Sequence, residues 1–168
     1  MKKLLILTGV ACLLAFSNIQ AQDYKTGLGV RLNYWGGGGL NVKHFMGSNT
    51  ALEGILTIAG NGRGWNLTGL YEVEAGLGGV DGLAWFFGGG GHIGQWYQGY
   101  YVWDNRKSYA YPATFTAIGI DGILGIEYTI PSAPINFQLD WKPAVNIIPT
   151  VDWWHNNTFA LSIRFAIK

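Results

Sequence analysis

The sequence predicts an all-β protein: a single antiparallel β-barrel of about eight strands that spans a membrane and follows a cleaved signal peptide. Three observations support this prediction. Apolar and polar residues alternate over segments of about ten residues, the length of a tilted transmembrane strand. The apolar faces of the clearest segments carry no charge. Aromatic residues gather near the strand ends, where a lipid–water interface would lie.

The start of the chain has the organisation of a secretory signal peptide. Two lysines precede an apolar run over residues 4–16, and a polar stretch then leads to a cleavage site after Ala21. The apolar run is shorter than the roughly 20 residues that a helix needs to cross a bilayer. We therefore expect residues 1–21 to be removed and residues 22–168 to form one barrel domain.

The amino-acid composition argues against several classes of protein. Cys12 is the only cysteine, so the mature chain has neither a disulfide framework nor a thiolate metal site. Cys12 also leaves open a lipoprotein signal, although the apolar run continues past it. A net charge of +1 argues against nucleic acid as a partner, because such proteins present a basic surface. The 26 glycines and 15% aromatic residues are typical of many strands joined by turns.

Alternation defines the strands. From Ile135 to Lys142, every odd position is apolar and every even position is polar, so one face of that strand is wholly apolar. The C-terminal segment repeats the pattern from Phe159 to Ile167. The predicted strands span residues 26–35, 39–46, 51–59, 64–74, 82–93, 114–130, 134–146 and 157–168.

The lengths of the connections separate two kinds of barrel. A soluble lipocalin-like barrel turns its apolar face inward around a ligand, whereas a membrane barrel turns it outward to lipid. Three short connections, 47–50, 75–81 and 131–133, hold turn residues and would lie on the periplasmic side. The two long connections, 94–113 and 147–156, both fall on the opposite side, as in membrane barrels.

The polar faces carry charges of both signs. An eight-stranded barrel has an interior just wide enough to be filled by its own side chains. We therefore expect a structural network that plugs the lumen, and a narrow polar pore is the alternative. The predicted network consists of Arg31, Lys43, Glu53, Glu72, Asp121, Glu127, Asp140, Lys142 and Arg164.

The segment between the fifth and sixth predicted strands is rich in aromatic residues. One interpretation is that the strands extend past the membrane and end in a polar hairpin tip at 104–107. The other is a contact surface for a glycan or a protein, because exposed Tyr, Trp and Arg favour binding. The candidate contact residues are Trp96, Tyr97, Tyr100, Tyr101, Trp103, Arg106, Tyr109 and Tyr111.

One glycine motif matches a nucleotide-binding pattern only formally. The run from Gly89 to Gly94 fits G-x-G-x-x-G, but a dinucleotide site needs a helix to begin there. The following residues, Gln95 to Tyr100, do not start a helix. Glycines that let a curved strand bend explain the run better, so no cofactor is predicted.

Enzymatic and metal chemistry have weak support. Ser108, Asp152 and His155 could supply the acyl-transfer groups of a lipid A-modifying enzyme, but nothing in their spacing requires them to meet. His44 and His92 form no pair with metal-ligand spacing. We therefore predict no catalytic residue and no metal site, and leave the enzyme as an alternative.

Several segments resemble a known group of proteins. The run from Gly119 to Tyr128, with Ile130-Pro131 and the segment from Leu139 to Pro143, resembles the closing hairpin of small outer-membrane barrels common in Bacteroidetes. The C-terminal segment 164–168 is similar to the signal that directs such barrels into the membrane. That signal usually ends on an aromatic residue, whereas here three residues follow Phe165. The size also resembles barrels of the OmpA and OmpX type.

The pattern and the resemblance together predict an outer-membrane location. The expected partners are outer-membrane lipid, the barrel-insertion machinery and an extracellular glycan or protein, and the barrel is expected to be a monomer. The resemblance implies architecture and says nothing about activity. The predicted role is structural or one of surface interaction, with a passive pore or a lipid A-modifying enzyme as alternatives.

Overall fold

The fold is known from a computed structural model that describes residues 24–34, 37–60, 64–104, 107–148 and 158–167. Within these ranges, residues 98–104, 107–113 and 158 are described by their backbone alone. The predicted signal peptide, 1–21, lies outside the described residues. No helix within the described ranges is long and apolar enough to cross a membrane.

The described part of the chain forms nine strands and no helix. Their order along the chain follows the alternation that the sequence analysis identified. The strands are β1 (Thr26–Asn33), β2 (Gly38–Phe45), β3 (Thr50–Ile58), β4 (Gly64–Gly76), β5 (Leu83–Asp104), β6 (Lys107–Thr129), β7 (Ile135–Lys142), β8 (Ala144–Ile148) and β9 (Thr158–Ile167).

The sheet closes on itself. Each strand from β1 to β6 pairs antiparallel with the next, β6 pairs with both β7 and β8, and β9 joins β7 to β1. β7 and β8 together form one barrel strand, which is interrupted at Pro143 because proline has no N–H to donate. The carbonyl of Pro143 still accepts a 2.8 Å hydrogen bond from Gly122 N. The result is a closed eight-stranded antiparallel barrel, which confirms the predicted fold class.

Side chains alternate between the outside and the inside of the barrel. On β7, the outward Leu139 is 53% exposed, whereas its inward neighbours Gln138 and Asp140 are buried. On β9, the outward Phe165 is 58% exposed and the inward Arg164 is 1% exposed. The outer wall is therefore apolar and the interior largely polar, the reverse of a water-soluble barrel.

The two ends of the barrel differ. We call the end that holds the connections 46–49, 77–82 and 130–134 the turn end. The connection from β4 to β5 contains Gly79 and Gly82, whose φ angles of 106° and 81° suit glycine. These connections correspond to the three predicted short turns.

The opposite end carries a long hairpin that we call the ribbon, formed by residues 97–104 of β5 and 107–114 of β6. Pairing of β5 with β4 stops at Trp96, and pairing of β6 with β8 begins at Ile118. Beyond those points, among the described residues, β5 and β6 pair only with each other, up to Asp104 opposite Lys107. The ribbon projects roughly 25 Å past its neighbours at the usual rise per residue.

The ribbon changes the predicted strand ends. The sequence pattern predicts a fifth strand that ends at residue 93 and a sixth that begins at 114, with a long connection between them. The strands instead continue to Asp104 and from Lys107. Tyr, Trp and Val favour extended backbone, and the hairpin partner satisfies their ladder hydrogen bonds.

Candidate functional site

The candidate site is the interior of the barrel, where the nine charged residues of the predicted network all lie. Each is less than one tenth exposed. They come from all the barrel strands except β5, and the alternation of each strand turns them inward. Six residues outside the predicted network contact its charged groups, namely Tyr24, Asn41, Glu74, His92, Asn136 and Gln138. Asn146 joins the network through His92.

Lys43 sits at the centre of the charges nearest the turn end. Its Nζ lies 2.6 Å from Glu127 Oε2, 2.9 Å from Glu74 Oε2 and 3.0 Å from Glu72 Oε2. The ammonium also lies 4.4 Å from the ring centre of Phe86, within the range of a cation–π interaction. One ammonium thus holds three carboxylates together.

Arg164 links that group to the middle of the lumen. Its Nη2 donates to Glu53 Oε1 at 2.7 Å and also to Gln138 Oε1, while Nη1 donates to Asn136 Oδ1 at 3.0 Å. The same guanidinium lies 3.6 Å from Glu127 Oε2. Arg164 therefore ties together side chains of β3, β6 and β7 from its position on β9.

Arg31 and Asp140 form a separate pair. The two Nη atoms donate to the two carboxylate oxygens at 2.7 and 2.6 Å, the fork-like geometry that makes arginine–carboxylate pairs strong. Gln138 Nε2 donates a third hydrogen bond to Asp140 at 3.0 Å. Both ends of this pair are buried, and each charge is neutralised by the other.

Asp121 organises the charges nearest the ribbon. Its Oδ1 accepts from Lys142 Nζ, and its Oδ2 lies 2.6 Å from His92 Nδ1. The other ring nitrogen of His92 lies 2.8 Å from Asn146 Oδ1. The imidazole is thus held on both sides, which fixes its orientation in the wall of the lumen.

Apolar side chains pack together at the turn end of the lumen. Tyr24 packs edge-on against Phe45 at 5.2 Å between ring centres, beside Ala51 and Ala166. The Tyr24 hydroxyl donates to Glu127 Oε1 at 3.3 Å. Burial, together with the negative charge of Glu127, raises the pKa of Tyr24 well above its ordinary value. Tyr24 therefore remains a neutral hydrogen-bond donor across the physiological range.

One wall of the lumen is apolar, which the sequence analysis did not assign. Ile55, Leu70, Phe86 and Ile123 form a buried cluster between β3 and β6. A Cβ on Gly125 would lie 2.6 Å from Phe86 Cζ, so the absence of a side chain there makes room for this ring. The charge network lines other walls of the lumen.

The alternative catalytic groups are not brought together in the described residues. Ser108 lies in the ribbon opposite Trp103, while Asp152 and His155 fall outside the described ranges. His44 Nδ1 lies 2.9 Å from Thr26 Oγ1. Among the residues that the structure describes, no group of three or more His, Cys, Asp or Glu side chains could hold a metal.

The described candidate contact residues lie on the ribbon or at its base. Trp96 and Tyr97 are at the base, and the Tyr97 side chain is half exposed. Arg106 lies outside the described residues. The backbone register sets the others as follows: Tyr100 opposite Tyr111, Tyr101 opposite Ala110, Val102 opposite Tyr109 and Trp103 opposite Ser108.

Comparison with known proteins supports the fold. No protein-family model and no curated protein matches the chain. Among solved structures, the chain is similar to the N-terminal β-barrel domain of Pseudomonas aeruginosa OprF, with a TM-score of 0.54 and 12% sequence identity. The match covers 83% of this chain and 93% of that one. The chain therefore has the fold of an outer-membrane β-barrel domain. The predicted Bacteroidetes type stays a prediction.

Proposed function

We propose that this chain is an integral protein of a Gram-negative outer membrane, with a structural or surface-interaction role and a lumen plugged by its charge network. The proposal rests on the distribution of side chains, which is the reverse of the distribution in a water-soluble barrel. Large apolar side chains such as Leu32, Leu139 and Phe165 are more than half exposed, while Arg31, Lys43 and Arg164 are buried inside. Lipid stabilises such an outer wall, and water would not.

The packing of the interior favours a plug over a pore. The ion pairs of Lys43, Arg164, Arg31 and Asp121 follow one another along the lumen, and Tyr24 closes the turn end. Ion conduction needs a continuous polar path, which paired charges in contact interrupt. The test is single-channel recording in planar lipid bilayers. We expect no discrete openings, and regular openings would support the passive pore and overturn the plug.

The ribbon is the part of the molecule that supports a surface-interaction role. It extends past the neighbouring strands on the side away from the turn end, and its base exposes Tyr97. A partner there would be an extracellular glycan or protein, because tyrosine and tryptophan supply rigid contact area for both. Binding of intact cells to immobilised glycans, with and without the ribbon, tests this role.

The predicted signal peptide supports export of the chain to the outer membrane. Cleavage after Ala21 would release a mature chain that begins at Gln22 and is inserted, as a monomer, by the barrel-insertion machinery. N-terminal sequencing of the protein from outer-membrane fractions tests the cleavage site. Mass spectrometry of lipid A with and without the gene tests the enzymatic alternative, for which an unchanged profile is expected.

A further inference from the structure

Carboxylates outnumber cations among the described charges nearest the turn end. We call Lys43, Glu53, Glu72, Glu74, Glu127 and Arg164 the turn-end cluster. Within the described part of the chain, its ion pairs join four carboxylates to two cations, and every side chain in them is fully buried. Arg31 does not correct the imbalance, because it is matched by Asp140. Buried charge without a counter-charge is strongly destabilising, so something must offset the excess.

The contacts show which carboxylates of the cluster carry the excess negative charge. Glu74 and Glu127 each accept a hydrogen bond from Lys43, and Glu53 Oε1 accepts from Arg164 and from Asn41. Glu72 Oε2 lies near Lys43, but neither oxygen of Glu72 accepts a hydrogen bond. The second oxygen of Glu53, Oε2, also has no hydrogen-bond partner. The unsatisfied oxygens of the cluster thus belong to two glutamates.

These two glutamates are neighbours. In the register of β3 and β4, Glu53 lies opposite Leu70 and Glu72 lies opposite Ala51, so the two residues are diagonal neighbours on the same inward face. Diagonal neighbours on one face lie within reach of each other's long side chains, so the two carboxyl groups can meet. Two carboxylates can only accept hydrogen bonds, whereas a carboxylic acid can donate one to a carboxylate.

We propose that Glu53 and Glu72 form a proton-binding site in which one proton is shared between the two carboxyl groups at neutral pH. Glu72 is the acid and donates to Glu53 Oε2, while Glu53 keeps its negative charge beside Arg164. The proton removes one excess charge and satisfies oxygens on both residues. Carboxylates at such close range do not both ionise readily. The site deepens the proposed plug, because it explains how four glutamates can pack in a closed lumen.

The site has a consequence for stability. At neutral pH the unfolded chain carries both glutamates as carboxylates, so the folded state binds one proton more. Stability therefore falls as the pH rises. The other charged groups that face the pair are Lys43, Glu74, Glu127 and Arg164, with Arg31 also near Glu53, and Tyr24 donates to Glu127. Each of these groups is in an ion pair or, in the case of Tyr24, is neutral. The proton that a moderate rise in pH removes is therefore the shared one.

Infrared spectroscopy of the barrel folded in lipid vesicles tests the proposal directly. A protonated carboxyl group has a C=O stretching band that a carboxylate lacks. We expect this band in the wild-type protein at neutral pH, and its loss in both Glu72→Gln and Glu53→Gln. Glutamine resembles the protonated acid in shape, so the Glu72→Gln barrel should fold. Asp81→Asn, at an exposed turn position, is the matched control and should keep the band.

Three outcomes would overturn the shared proton. One is the absence of the band in the wild-type protein, which decides the matter even if a variant fails to fold. Another is a band that survives both glutamine substitutions. The third is a band that is seen only after sodium and potassium are removed. In that case a metal cation, and not a proton, occupies the site when these ions are present. None of these results bears on conductance, so a failed proton site and a failed plug are distinguishable.

Discussion

Arg31 and Asp140 are 109 positions apart in the chain, yet they form a two-fold hydrogen-bonded ion pair inside the barrel at 2.7 and 2.6 Å. The pair connects β1 to β7 across β9, which lies between them in the sheet. It requires that the first strand, β1, and the last, β9, be paired, since these two strands meet at the seam of the barrel. The pair therefore reports on closure of the barrel as well as on its stability.

Removal of one partner of this pair should be strongly destabilising. Asp140→Ala leaves the buried guanidinium of Arg31 without its counter-charge, which costs about 3–5 kcal/mol. Urea titration of the barrel in lipid vesicles, followed by tryptophan fluorescence, measures the free energy of unfolding. Asp81→Ala in an exposed turn is the control and should change it by no more than about 0.5 kcal/mol. Equal effects of the two substitutions would mean that the Arg31–Asp140 pair is not formed.

A charge on the outer wall should be tolerated only outside the lipid. Leu139 is exposed on β7, and Leu77 is exposed in a turn-end connection. Leu139→Arg should lower the free energy of unfolding in vesicles by about 2–4 kcal/mol, and Leu77→Arg by no more than about 1 kcal/mol. The same urea titration measures both. If Leu139→Arg were neutral, the outer wall would not face lipid.

Two glycines in one turn offer a matched test of local packing. Gly82 has φ 81°, and a Cβ there would collide with the carbonyl oxygen of Thr129, whereas a Cβ on Gly79 would meet nothing within 4 Å. Gly79→Ala carries backbone strain of about 1–3 kcal/mol. Gly82→Ala adds a collision with the backbone, so it should lower the free energy of unfolding by about 1–3 kcal/mol more than Gly79→Ala does. A larger effect at Gly79 would contradict this geometry.

The ribbon should be dispensable for folding. Ladder pairing with β4 ends at Trp96, and Tyr97 lies opposite Thr114, so replacement of residues 98–113 by Asn-Gly should keep the register and leave the barrel intact. We expect the shortened protein to keep the shift in gel mobility that heating causes. Cells that carry the shortened protein should no longer bind immobilised glycans. A shortened protein that fails to fold would show that the ribbon supports the barrel.

The sequence was sufficient to predict which way most side chains point. The strict alternation from Ile135 to Lys142 reflects two different environments on the two faces of one strand, so it identifies Asp140 and Lys142 as inward residues. The same reasoning places Arg31 and Arg164 inside. These predictions depend on local periodicity, which a single strand displays by itself.

The partners inside the lumen were not predictable in the same way. The strand from Leu83 to Gly91 mixes large apolar residues with glycines, so its pattern did not reveal that Phe86 points inward. His92 follows four glycines and gave no alternation to interpret. Which cation meets which carboxylate depends on the stagger of the strands around the closed barrel, a property of the whole sheet.

The most direct test of the membrane barrel is a heat-modifiability gel on outer-membrane fractions of cells that express the protein. A folded barrel resists the detergent and migrates differently from the boiled, unfolded chain. We predict that the protein is found in the outer-membrane fraction and that its mobility changes on boiling. Recovery in the soluble fraction, with one mobility before and after boiling, would contradict the proposal.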